Sequence, residues 1–390
     1  MKSQSLHFIS AAVLLCCLVP STTVAQRPNL HIEKPVFFTP QPSITNTEMG
    51  AQIAAAGATI PLWQATATAD GVKYQLTLVG KSILVSESVT VNAPVVALDL
   101  QLDNASGTSP LTFRPETTDA CTNPSAVNLT LNSPVYKKHS FSFGGKSVGT
   151  TEYDDAFQRA NFYQYTQPTG TSPGYHVLLN PTAKYYFYSS PIKVPVADGN
   201  YVTAKCGETG LVFQAYIQKL IRTKLIPGLA SVGIGPTTFP IFILHNVIMC
   251  FPDGTCGILG FHDGYKNSSG TLQTYAVADY DTSGAGFPDI EALSHEVGEW
   301  MNDPGINNAA PAWGNIGQVS GCQGNYEVGD ALSGRTLAVT MSNGVTYHPQ
   351  ELAFLSWFYH LSPSLGVNGW YSDKGTFRGY AKPCPPGGTN

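Results

Sequence analysis

The chain has 390 residues, 12% of them charged and 43% hydrophobic, with 38 glycines, 28 prolines and a net charge of −5. A charged share about half that of ordinary globular proteins argues against a disordered chain and against a coiled coil. A slightly acidic balance with no basic cluster argues against a nucleic-acid partner.

The N-terminus sets the compartment. Lys2 is followed by the apolar run Ile9 to Pro20 and by the small residues Thr23-Val24-Ala25, the pattern of a secretory signal peptide cleaved near Ala25. No later stretch is long and apolar enough to span a bilayer, so a secreted or periplasmic protein is expected. Removing residues 1–25 takes Lys2 with it and moves the net charge to −6. Six cysteines remain (Cys121, Cys206, Cys250, Cys256, Cys322 and Cys384), an even number for an oxidising compartment. Cys250 and Cys256 flank the turn-like Phe251-Pro-Asp-Gly-Thr255 and are expected to pair, while the other four allow three connectivities. No CxxC occurs, which argues against a thiolate metal site.

The expected class is α+β, with residues 26–132 forming a β-sandwich domain and residues 133–390 a mixed α/β domain. Val72, Tyr74, Leu76 and Leu78 alternate after an Asp70-Gly71 turn, and Val96, Leu98, Leu100 and Leu102 alternate after Pro94. Beyond residue 132, Asp154 to Phe162 reads as a short helix with Arg159 in an internal ion pair. Phe213, Ile217, Leu220, Ile221 and Leu225 follow helical spacing up to Pro227-Gly228. Phe239 to Met249 reads as a buried strand, and Ile258 to Phe261 and Tyr275 to Val277 as further strands.

The segment Pro288 to Pro304 carries the chemistry. Ile290, Leu293, Val297, Trp300 and Met301 gather on one face of a helix. His295, Glu299 and Asp303, each four apart, line the opposite face, with Glu296 between the two and Pro304 ending the helix. Side chains at i and i+4 stand about 5–6 Å apart at Cβ, so His295 and Glu299 can share one metal ion. Glu296 is then placed to take a proton from water as general base. The third ligand must come from elsewhere. Glu327, in Asn325-Tyr-Glu-Val-Gly-Asp330, is the leading candidate, with Asp330 orienting His295 and Asp303 in a supporting position. The competing reading is a solvated acidic helix face, but such faces interleave both signs. Asn267 to Gly334 holds nine acids and no lysine or arginine, which favours a bound cation.

These residues resemble two families. The His295-Glu-x-x-Glu299 helix resembles the His-Glu-x-x-His helix of zincin metallopeptidases, and Glu327 to Asp330 is similar to the Glu-bearing second helix of the gluzincin branch. Over the same residues, roughly 257–335, the chain equally resembles the plant EXORDIUM or phosphate-induced secreted proteins, with His-Glu-x-x-Glu, an Asn/Asp-Pro just after it and a later Glu-x-x-Asp. The first resemblance implies a zincin-like domain holding zinc and acting on a polypeptide or cell-surface substrate. The second implies a noncatalytic extracellular or cell-wall-associated protein with a structural or vestigial ion, or none. Glu299 departs from the zincin histidine. Two carboxylates and a neutral histidine cancel the charge of Zn²⁺, so water at the ion is less acidified and harder ions compete.

Other candidates are weaker. His262, in Gly260-Phe-His-Asp-Gly264, is an alternative ligand or faces substrate, against a structural role at a strand end. His348, beside Tyr347, could donate to an oxyanion, against simple packing. Asp279-x-Asp281-x-Ser283-Gly284 opens like a calcium loop, though Ile290 takes the twelfth position. Gly170-Thr-Ser-Pro-Gly174 matches a nucleophile elbow as a string, but Pro173 has no N–H for an oxyanion hole.

Overall fold

The structure, a computed structural model, describes residues 28–36, 38–55, 57–181, 186–187, 191–314, 322–382 and 384. The expected leader and its cleavage point lie outside the described residues. In chain order the elements that matter begin with β1 (His31–Val36), α1 (Asn46–Ala54), β2 (Leu62–Ala69), β3 (Val72–Val79), β4 (Val95–Ala97) and α2 (Tyr153–Asn161). They continue with β5 (Ile241–His245), β6 (Val247–Cys250), β7 (Thr255–Ile258), β8 (Gly260–Lys266), β9 (Leu272–Tyr280) and α3 (Glu291–Asn302).

The architecture is mixed α+β. One five-stranded sheet runs Tyr186–Phe187, β4, β5, β9, β8, and a second runs β1, β7, β6, Glu208–Phe213, Gly199–Thr203. The apolar run expected as one buried strand feeds both sheets. β5 lies parallel to β4 and β9, whereas β6 pairs with Glu208–Phe213 and with β7. Between them Asn246 takes φ 56, a left-handed conformation that asparagine tolerates. Its Oδ1 accepts the Thr282 N–H at 2.6 Å and the Ser283 N–H at 3.1 Å, which pins the crossover.

The expected β-sandwich over 26–132 does not close on itself. Its central strand β4 is hydrogen-bonded to β5, and Ser88–Asn92 pairs with His176–Asn180. One apolar core includes Leu76, Leu78 and Val95 together with Ile241, Val297 and Trp300, so packing does not break after residue 132. Period-2 alternation identifies strands without naming their partners, and these partners lie more than 80 residues away. The β2–β3 hairpin is as expected: Asp70 and Gly71 both take positive φ, 50 and 81, as a two-residue turn between twisted strands requires. The all-β reading left out α1, whose capping box is formed by Thr45 and Glu48.

Arg159 also differs from its expected role. Its guanidinium donates to the carbonyls of Val148, Thr166, Pro173 and Tyr175 at 2.6–3.1 Å. The fork of five donors satisfies these four carbonyls, in place of a close carboxylate. Cys250 pairs with Cys256 as expected, and the remaining bridges are Cys121–Cys206 and Cys322–Cys384. Among the described residues no helix is long and apolar enough to cross a membrane.

α3 packs on β8 and β9. The Trp300 ring stacks on Phe239 with centroids 3.6 Å apart, and its Nε1–H donates to Thr274 Oγ1 at 3.1 Å. The helix stops where expected, Asp303 leaving helical geometry before Pro304.

Candidate metal centre

Every residue of α3 is buried, including its acidic face. A solvated acidic surface is therefore excluded, and the carboxylates must be satisfied from inside the fold. Three neighbouring segments meet that face. Strand β8 brings His262, the turn after Cys322–Asn325 brings Glu327 and Asp330, and the segment before the short helix Leu355–Phe358 brings Gln350. His262, His295, Glu296, Glu299, Glu327 and Asp330 are each at most 3% exposed.

His295 sits at the centre. Its Nε2 is 3.0 Å from Glu299 Oε1, 3.7 Å from Asp330 Oδ1 and 4.0 Å from Glu296 Oε1. Its other nitrogen is held from behind: Nδ1–H donates to Gln350 Oε1 at 3.1 Å, and Gln350 Nε2 donates to the Gly329 carbonyl at 2.6 Å. The carbonyl can only accept, so it orients the amide, and the amide oxygen assigns the proton to Nδ1. Nε2 then faces the acids. Gly329 permits the close fit, since a Cβ there would run into the imidazole ring.

His262 repeats the arrangement from the sheet side. Its Nε2–H donates to the Asp303 carbonyl at 3.1 Å, which leaves Nδ1 3.3 Å from Glu296 Oε2 and 3.6 Å from Glu299 Oε2. Glu299 is further positioned by the Gly329 and Asp330 N–H groups, each 3.2 Å from Oε1. Glu296 Oε1 and Glu327 Oε2 are buried and accept no hydrogen bond.

The electrostatics follow from this crowding. Burial alone would lower the His295 pKa, but Glu299, Glu296 and Asp330 outweigh it and push it up to about 9. His262 is likewise raised well above the usual range, against burial, by Glu296 and Glu299. Burial would raise Glu299, yet the two histidines hold it at about 2. Burial and then Glu299 push Asp330 up to about 7 and Glu327 well above the carboxylate range. Buried carboxylates crowded in this way are held by protons or by a cation.

The residues fit a divalent ion. Two groups of ligand atoms lie within 4.8 Å of one another: His295, Glu299 and Asp330, and His262, Glu296 and Glu299. Each histidine has its far nitrogen fixed by a hydrogen bond, as ligating histidines do.

This chain matches no protein-family model, no curated protein and no solved structure.

The expected site residues fall into place unevenly. His295, Glu296 and Glu299 converge as the helical spacing implies. Glu327 belongs to neither compact group, although its carboxylate interacts electrostatically with Glu299 and His262. Asp330, expected to orient His295, stands with the ligand atoms, and Gln350 does the orienting. Asp303 supports the site through its carbonyl, while its carboxylate accepts the Asn307 and Asn308 N–H groups at 2.9–3.1 Å. His348 is tied to Asp289, Nδ1 to Oδ2 at 2.7 Å, and is half-exposed; no observed contact turns it toward the cluster. The calcium-loop acids are committed elsewhere: Asp281 accepts the N–H groups of Ser283, Gly284 and Gly286, and Asp279 that of Val247. Gln350 gave no sequence signal, because a neutral amide carries no spacing or charge pattern.

Proposed function

We propose that this chain is an exported metal-dependent hydrolase whose ion is held by His295, Glu299 and Asp330, with Glu296 as general base. The observation that carries this reading is the pairing of a tautomer-fixed His295 Nε2 with Glu299 Oε1 at 3.0 Å while the adjacent Glu296 Oε1 accepts no hydrogen bond. A divalent ion at that point supplies Lewis-acid polarisation and a lowered pKa for water. Glu296 receives the proton, Gln350 keeps His295 in the required tautomer, and the Gly329 and Asp330 N–H groups hold Glu299 in place. The zincin resemblance makes a polypeptide the substrate of choice and zinc the first ion to test. Three disulfides suit an extracellular setting.

One observation favours a second reading, a noncatalytic exported protein with a structural ion. The ligand residues are at most 3% exposed, and a closed site is the mark of structural ions. Glu296→Gln separates the two. On the hydrolase reading the variant keeps at least one zinc per chain by elemental analysis and loses casein hydrolysis by about 100-fold or more. Equal hydrolysis by variant and parent removes Glu296 as the base. Bound zinc with no hydrolysis by the parent protein establishes the structural reading.

A further inference from the structure

We propose that the centre takes two divalent cations, the second on His262 Nδ1, Glu296 Oε2 and Glu299 Oε2, with the Glu299 carboxylate bridging the pair. This deepens the reading above and rests on the cluster being a metal centre.

The geometry comes first. Ligand atoms about 2.0–2.2 Å from one ion at tetrahedral angles are separated by about 3.3–3.6 Å. His262 Nδ1 lies 3.3 Å from Glu296 Oε2 and 3.6 Å from Glu299 Oε2. On the other side of the same carboxylate, His295 Nε2 lies 3.0 Å from Glu299 Oε1 and 3.7 Å from Asp330 Oδ1. Each group therefore has the dimensions of one ion's ligand set, and they share Glu299 through different oxygens. Carboxylate-bridged ion pairs stand about 3.5–4 Å apart, a separation that the two oxygens of one carboxylate can span. Both histidines also present a nitrogen whose ring partner is already committed as a donor, His295 to Gln350 and His262 to the Asp303 carbonyl.

Charge balance favours two ions over one. Glu296, Glu299, Glu327 and Asp330 are all buried and no lysine or arginine occurs from Asn267 to Gly334. With all four ionised and the histidines neutral, one divalent ion leaves this set two negative charges in excess, to be offset by protons kept on the carboxylates, and two ions bring it to zero without them. A net charge of −2 in the interior is costly. Glu296 uses Oε2 for the second ion and keeps Oε1, which accepts no hydrogen bond, on the His295 side. A donor set of two imidazoles and several carboxylates suits zinc, manganese or ferrous iron.

The test is the stoichiometry of the purified exported protein after equilibration with Zn²⁺ or Mn²⁺ and removal of free ion. The expected result is two equivalents per chain by elemental analysis and an exchange-coupled Mn²⁺ resonance spectrum. His262→Gln should lower the zinc content from two to one. A single equivalent with an isolated six-line Mn²⁺ spectrum overturns the second site and leaves the hydrolase reading standing, whereas no bound ion removes both. Two equivalents that persist in His262→Gln place the second ion elsewhere and also overturn the proposal. The Mn²⁺ spectrum of the unaltered protein decides the matter even if the variant does not fold.

Discussion

Gln350 governs His295 through one amide. It accepts from Nδ1–H and donates to the Gly329 carbonyl, so imidazole tautomer and acidic turn are set together. Losing such a partner behind a ligating histidine typically costs 10–100-fold in metal affinity. Gln350→Ala is expected to weaken zinc binding by about that factor in competition with a chromophoric chelator. Gln350→Glu, which keeps an acceptor for Nδ1–H but loses the donor to the Gly329 carbonyl, should recover only part of it. Equal affinity in the alanine variant would show that the tautomer needs no such support. At this scale the sequence exposed His295, Glu296 and Glu299, because one helix fixes their spacing. It ranked Glu327 ahead of Asp330 as third ligand, whereas Asp330 is the one in a compact group with His295 and Glu299. The two acids stand three residues apart in a turn, and the choice between them depends on how that turn docks against α3. His262 arrives through the pairing of β8 with β9, a contact no local pattern specifies.

Among the elements, α3 was legible in its C-terminal bound and its apolar face, since a terminal proline and a period of 3.6 are local signals. What closes over its polar face was not. The strands were visible by alternation or by apolar runs, but parallel pairing of β4 with β5 joins residues about 146 apart, which alternation cannot encode. Helix α2 carries a prediction of its own. Its N-cap residue Glu152 makes no side-chain cap. Instead Oε2 accepts the Leu179 N–H at 2.7 Å and ties the helix to strand His176–Asn180. Burial, with Asp155 adding to it, pushes Glu152 up to about 8 from 4.5. The unfolded chain therefore gives up this proton first as pH rises, and the contribution of Glu152 to stability falls between about pH 4.5 and 8. Glu152→Gln keeps an acceptor for Leu179 without a charge. Its stability relative to the parent should rise across that window, by at most about 5 kcal/mol at pH 8. Denaturant titrations at pH 5 and pH 8 measure this, and an equal difference at the two values would show that Glu152 ionises normally in the fold.

For the whole molecule, the disulfides tie together segments that the chain order separates. Cys121–Cys206 closes 85 residues, and Cys250–Cys256 closes only 6 across the β6–β7 pair. A cross-link acts mainly by restricting the unfolded chain, and the chain-entropy relation assigns the long loop about 4.5 kcal/mol and the short one about 2 kcal/mol. A protein of this length unfolds with an entropy near 0.8 kcal/mol/K. Replacing both cysteines of a pair by alanine should therefore lower Tm by about 6 °C for Cys121–Cys206 and about 3 °C for Cys250–Cys256, measured calorimetrically on each double variant. The order of the two shifts is the informative part. Cys250 and Cys256 are the more deeply buried pair, at 1% and 0% exposure, so a larger loss there would mean that packing of the sulfur atoms between the strands outweighs loop closure. The expected order would instead assign the main effect of these bridges to the unfolded chain, with strand pairing and the core holding the β6–β7 turn unaided.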